Sequence, residues 1–273
     1  MSKNLPKTLL FAFMVVLSSC SGGIDLFTKQ QDMQFGQQMQ ATIAGDPAHY
    51  PILNNSTLTS YVQGLVDRIV QSPNVTNKDF NYKVTIIHDD NTVNAFTLPG
   101  GPIYVYTGLM KYVDNEATLV GILAHEVTHA DHRHSTKQMT QQYGLQEVTQ
   151  IALGNNTSLA GQIAAGLAGI GGNAAMMKFS RDDETEADAN SFDDLMALPG
   201  RPWYPAAINY FEIKMLASGA TPPSQLANLF ATHPPSQQRL DAITAKAKKA
   251  NLPPATEAQL NTAGYQRYKA MLP

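Results

Sequence analysis

The sequence predicts an α+β chain, mostly helical, in which a small sheet comes just before a long helix and further helices wrap both. Three observations lead there. Apolar residues recur at three- and four-residue spacing in most segments beyond residue 30. From Tyr82 to Thr107 the period changes to short β-branched and aromatic runs joined by a Pro-Gly-Gly-Pro turn. Directly afterwards, Asn115 to His134 holds a proline-free apolar run that contains His125-Glu126-Val127-Thr128-His129.

The first nineteen residues read as a targeting segment outside the fold. Lys3 and Lys7 make a basic start, and Leu9 to Leu17 is an apolar stretch too short to span a bilayer comfortably. The segment ends Leu17-Ser18-Ser19-Cys20, which is similar to the lipobox of bacterial lipoproteins, so residues 1–19 are expected to be removed and Cys20 to be acylated. Ser21 in the next position favours, by the same resemblance, sorting to the outer membrane. Residues 20–29 are then a lipidated tether and 30–273 one large domain with enough length for a sizeable core. The net charge of −3 becomes slightly more acidic when Lys3 and Lys7 leave. With no basic block, nucleic acid is not an expected partner. Cys20 is the only cysteine, so stability rests on packing and metal, not on disulfides.

A glutamine-rich helix is expected over Gln30–Ile43, and a second from the N-cap Ser56 through Ile69, in which Leu58, Tyr61, Val62, Leu65, Val66 and Ile69 recur at helical spacing. Both suit a buttress for the core, and the first suits a partner-binding arm equally well. Strands are expected at Lys83–Ile87, Val93–Thr97 and Ile103–Thr107. The segment Asn94, Ala95, Phe96 then offers an edge to which an extended peptide can add as one more strand, although the sheet can also serve only to pack the helix. Asp114 or Asn115 caps the central helix. A polar helix over Thr136–Gln150 follows, and then a Gly/Ala-rich stretch from Ala152 to Met177, read as a close-packed or mobile hairpin near the cleft, with lipid contact as the minor alternative. Helices are expected from Ser180 through Leu195, at Pro205–Ala217, Ser224–Ala231 and Ser236–Lys249, and finally up to Met271. His233, before Pro234 and Pro235, is expected in an extended loop.

Two histidines four apart lie about one turn apart on one helix face, so His125 and His129 can reach one metal ion. Glu126 is offset by roughly 100°, which puts its carboxylate beside the metal, where it can take a proton from water. The same five residues also fit a helix whose histidines are only hydrogen-bonded, so a third ligand is required. Acidic residues in Arg181-Asp182-Asp183-Glu184-Thr185-Glu186-Ala187-Asp188 suit any helix N-terminus. Yet Glu184 and Asp188 share a face: Glu184 can be the third ligand, and Asp188 can hold a ligand histidine through its other ring nitrogen. Two histidines and a glutamate with an open position match the catalytic zinc arrangement of thermolysin-type sites. His233 is either a local structural residue or a cleft residue, and by chemistry alone it is a candidate oxyanion donor.

Three ordered motifs, Asn94-Ala95-Phe96 with Pro99-Gly100-Gly101, His125-Glu126-x-x-His129 with His132-Arg133-His134, and Ser180-Arg181-x-x-Glu184-x-x-Ala187-Asp188, resemble one family. It is the HtpX and CAAX-prenyl-protease type of zinc metallopeptidase, in its periplasmic lipoprotein branch (LoiP- and BepA-like). Thr232-His233-Pro234-Pro235 with Arg239 is similar to that family's pattern after the third ligand. The resemblance implies one Zn2+ on His125, His129 and Glu184, Glu126 as general base, and a thermolysin-like (gluzincin) core. It implies unfolded or misassembled envelope proteins as substrates, the periplasmic side of the outer membrane as location, and envelope assembly machinery as a partner. No repeat array is visible, so recruitment through repeats is not implied, and no spanning helix puts membrane-embedded substrates in doubt. A metzincin reading fails, because it needs Gly at His132 and His at Ser135.

From another class, a periplasmic chaperone or assembly factor would carry the same metal residues and make proteolysis incidental. The intact Glu126 argues for chemistry. A purely structural zinc site would want four protein ligands, often thiolates.

Overall fold

A computed structural model describes residues 27–167, 178–210, 213–214 and 226–273. The targeting segment, Cys20 and the tether up to residue 26 lie outside the described residues. So do residues 168–177 of the Gly/Ala-rich stretch and much of 211–225.

The fold is built around α4 (Glu116–Asp131), all sixteen residues of which are buried. Asn115 caps it by accepting from the Thr118 backbone N–H at 2.9 Å, a contact worth about 1 kcal/mol. In its first turn Glu116 accepts from Tyr61, Trp203 and Asn261 at 2.7–2.9 Å, tying three distant segments to one helix end. At the other end Asp131 accepts from Thr76 and Asn77. Leu119, Val120, Leu123 and Val127 are fully buried, each contributing about 1.5–3 kcal/mol on leaving water. Gly121 lets a 3-10 turn, Pro205–Asn209, press on α4, since a Cβ there would sit 2.9 Å from the Ile208 nitrogen.

Before it come α1 (Lys29–Ala44), α2 (Ser56–Val70), β1 (Val84–Ile87), β2 (Ala95–Thr97), β3 (Ile103–Tyr106) and α3 (Thr107–Tyr112). The sheet order is β1-β3-β2, with β1 parallel to β3 (Val84 opposite Ile103) and β2 antiparallel to it (Ala95 opposite Val105). Side chains alternate across a strand. Ile103 and Val105 therefore join the core with Leu65, Val66 and α4, while Tyr104 and Tyr106 turn to a second core with Phe35, Met39 and Ile163. The turn after β2 needs Gly100 at φ 74°, and a Cβ there would lie 2.6 Å from the Met33 Cα, so α1 rests directly on the turn. α3 corrects the expectation of a strand through Thr107: the β-branched and aromatic run continues, but the chain turns helical at that residue.

After α4, Arg133 adopts a left-handed conformation (φ 60°) and starts α5 (His134–Ala152), which has a non-helical break at Gly144. α6 (Thr157–Leu167) packs with α5 and α1, so the described part of the Gly/Ala-rich stretch is a turn through Gly154 followed by a helix. α7 (Arg181–Ala197) starts with a Ser180–Asp183 capping box and lies along α4. The expected helix at Pro205–Ala217 begins instead as the 3-10 turn. Then come α8 (Ala227–Thr232) and α9 (Gln237–Lys249). The single terminal helix expected is two, α10 (Glu257–Leu260) and α11 (Thr262–Lys269), separated by left-handed Asn261. Among the described residues no helix is long and apolar enough to cross a membrane.

Candidate active site

α4 presents His125 and His129 on one face, with their Nε2 atoms 2.9 Å apart. α7 brings Glu184 between them, Oε1 at 3.4 Å from His129 Nε2 and Oε2 at 3.6 Å from His125 Nε2. His233, just beyond α8, completes the group: its Nδ1 lies 2.9 Å from Glu184 Oε1 and 3.4 Å from His125 Nε2. All four side chains are buried, and one donor atom of each lies within 4.8 Å of the others.

The surrounding contacts show that this set fits a metal ion. His125 Nδ1 faces Asp188 Oδ1 at 2.9 Å, and an ionised carboxylate only accepts, so the ring proton belongs on Nδ1. His129 Nδ1 meets His134 Nδ1 at 2.9 Å, which occupies that side of the second ring. The two Nε2 lone pairs then face each other in a buried space, an arrangement that repels unless a cation lies between them. Imidazole nitrogens with a carboxylate oxygen are the donors that zinc-class divalent metals prefer.

Arg239 on α9 governs the charge around the set. Its Nε and Nη2 donate to Asp188 at 2.6 and 2.7 Å, and its Nη1 pairs with Glu184 Oε2 at 2.6 Å. Burial pushes the Glu184 carboxyl up, but His233 and the Arg239 guanidinium outweigh it and hold it well below the usual carboxylate range. Burial, with the charge of His125, holds His129 well below an ordinary histidine, so its ring is neutral and can donate a lone pair. Phe179 stacks on the His129 ring at 4.1 Å, walling off that side.

Glu126 stands apart from the four donors. It is almost fully buried, with Oε1 3.6 Å from His233 Nε2. Burial raises its pKa, and the Thr97 backbone N–H of β2 steadies the carboxylate. β2, carrying Ala95 and Phe96 after Asn94, is an outer strand of the sheet and packs on α4. A narrow cleft opens beside His125, Glu126 and His233, with Ile122, Ile208 and Leu229 on its apolar wall.

The structure thus brings together His125, Glu126, His129, Glu184 and Asp188, and it places His233 in the cleft against the donor set. Glu186 points elsewhere, to His132 and His134. Sequence reasoning gave Arg239 no role of its own and left out Phe179 and the His129–His134 contact.

A HExxH helix, a glutamate from a second helix and a small sheet in a mostly helical body define a gluzincin-type metallopeptidase core. The chain belongs to peptidase family M48, whose model matches residues 56–247. It is similar to the beta-barrel assembly-enhancing protease of Escherichia coli K12, 30% identical over 216 residues that cover 77% of this chain and 42% of that protein. It is also similar to two further proteins of the same organism, metalloprotease YcaL (32% over 171 residues, 62% of this chain and 63% of that one) and metalloprotease LoiP (30% over 172 residues, 62% and 64%). The chain spans less than half the length of the beta-barrel assembly-enhancing protease.

Proposed function

We propose that the chain is a zinc-dependent endopeptidase of the bacterial envelope that cleaves misfolded or misassembled envelope proteins. The observation that carries this reading is Glu126, a buried carboxylate beside the donor set and outside it, where a mere binding site has no need of a base. A zinc ion held by His125, His129 and Glu184 supplies Lewis-acid polarisation of a peptide carbonyl and acidifies water to a pKa of about 7. Glu126 takes the proton of the attacking water as its oxygen bonds to the carbonyl carbon, then delivers that proton to the amine as the C–N bond breaks. The raised pKa of Glu126 suits it to hold the proton between these steps. Asp188 keeps His125 in the ligating tautomer, and Arg239 keeps Glu184 and Asp188 ionised. His233, with Nδ1 2.9 Å from Glu184, stands between the donor set and the cleft through which substrate reaches it.

The substrate class rests on the similarity to a protease named for β-barrel assembly, which also makes envelope assembly machinery the proposed partner. The proposed location is the periplasmic face of the outer membrane, through acylated Cys20. In Cys20→Ala the acyl mass and membrane partitioning should both vanish. Equal partitioning of the variant, with no acyl mass on the wild type, would remove the anchor from the reading.

Glu126→Gln keeps shape and hydrogen bonding while removing the base. Peptide hydrolysis should fall by roughly 10²–10⁴-fold, with metal content and circular dichroism unchanged and substrate retained as a trapped complex. Hydrolysis that survives both this change and chelation sinks the peptidase reading. Undiminished cellular function of the variant would favour the chaperone instead.

A further inference from the structure

A second group of donors lies on the far side of His129. His132 forms the C-terminal cap of α4 and His134 opens α5, and both meet Glu186 of α7. His132 Nδ1 is 2.9 Å from Glu186 Oε1, and His134 Nε2 is 3.3 Å from Glu186 Oε2. One donor atom from each of the three lies within 4.8 Å of the other two. We propose that His132, His134 and Glu186 form a second binding site for a divalent transition metal of the zinc class, separate from the buried one.

Backbone geometry assembles the trio. Left-handed Arg133 separates the two histidines and sends its own side chain away, to Asp32 and the Phe27 carbonyl. The nearby cation is thereby paired with Asp32, not with Glu186, and the two imidazoles are left side by side. The separations of 2.9–3.3 Å approach the edge of a tetrahedron with bonds of about 2.0–2.1 Å. Small movements suffice to admit an ion.

Proton placement couples the two sites. The buried site needs a lone pair on His129 Nε2, which puts the His129 proton on Nδ1. His134 Nδ1, 2.9 Å away, must then accept that proton's hydrogen bond. His134 then carries its own proton on Nε2, donated to Glu186, and a metal can bind Nε2 only as that proton is replaced by one on Nδ1, facing the His129 N–H. Asp183 adds a carboxylate at the margin: Oδ2 accepts from Ser180, while Oδ1 lies 3.8 Å from His134 Nε2. His134 is fully buried, but the side chains of His132 and Glu186 are 28% and 48% exposed. An ion can thus arrive from solvent without crossing the cleft, and water can complete its shell. Once there, it holds His134 in the tautomer whose Nδ1–H opposes the His129 N–H, so occupancy of the outer site weakens occupancy of the inner one.

The test is zinc titrated alone into the metal-free full chain, with bound ions counted by equilibrium dialysis and atomic emission. The wild type should take up two zinc ions per chain. His132→Ala and Glu186→Gln should each take up one and keep wild-type circular dichroism, since both positions are partly exposed. The inner ion of His132→Ala should bind more tightly than that of the wild type under zinc excess. A wild type that saturates at one ion overturns the proposal, as does a second ion that survives both substitutions. Failure of the buried site is a separate result: Glu184→Ala would then bind as much zinc as the wild type.

Discussion

Two His/Glu groups flank His129, and they differ in what surrounds them. The inner one, His125, His129, Glu184 and His233, is buried, and Arg239 and Asp188 fix its charges. The outer one, His132, His134 and Glu186, opens to solvent, and its carboxylate is held by the two histidines. The inner group also has Glu126 beside it as a base, whereas the outer group uses its one close carboxylate as a donor. Donor identity is therefore nearly the same in both. Burial and the neighbouring groups make one suited to chemistry and the other to reversible occupancy.

The largest expected effect separates the two directly. After dialysis into metal-free buffer, Glu184→Ala should lose nearly all retained zinc, and Glu186→Ala should keep it. The reverse order in metal analysis would mean that the helix α7 register has been misread. Arg239→Met tests the charge frame of the inner group alone. It strands Glu184 and Asp188 beside each other in a dry site, and losing one partner of a buried ion pair costs about 3–5 kcal/mol. Urea denaturation of the metal-free chain should show a loss of that order, and a loss below about 1 kcal/mol would deny Arg239 its role.

The smallest effect concerns another carboxylate of α7. Asp194 accepts from Ser72 at 2.9 Å, and burial lifts its pKa from 3.8 to about 6. The folded state thus holds this proton more tightly than the unfolded chain. The resulting stability is fully present below pH 4 and is lost as pH rises through 6. Asp194→Asn should therefore be more stable than the wild type by about 1–2 kcal/mol above pH 7. Thermal melts of the two should converge below pH 4, and a constant gap at all pH values would contradict the assignment.

Local signals carried much of this into the sequence. Asp114 or Asn115 announced the central helix, which Asn115 caps, and the four-residue spacing of Glu184 and Asp188 singled out the face of an acidic stretch that meets α4. The alternation in Ile103-Tyr104-Val105-Tyr106 matched a strand between two cores. What stayed hidden depends on contacts far apart in the chain. Pro234 and Pro235 indicate an extended backbone after His233 but say nothing of a glutamate 49 positions earlier. Arg239 reads as an ordinary helix residue until Asp188 is seen opposite it. Thr107 fits a strand by type, and only the tertiary fold turns it helical.

The inner group is also discontinuous along the chain, and this gives it an order of assembly during synthesis. His125 meets a histidine 108 residues later, and Asp188 meets its arginine 51 residues later. As the chain emerges from its N-terminus, the HExxH helix exists well before its glutamate, and the glutamate before the arginine that keeps it ionised. Contacts of such separation form late, because the intervening chain must first be closed into a loop. A nascent chain therefore carries the base without a complete site around it. Hydrolytic competence arrives only when the segment through Arg239 has docked, so incomplete chains are inert towards their neighbours and towards each other.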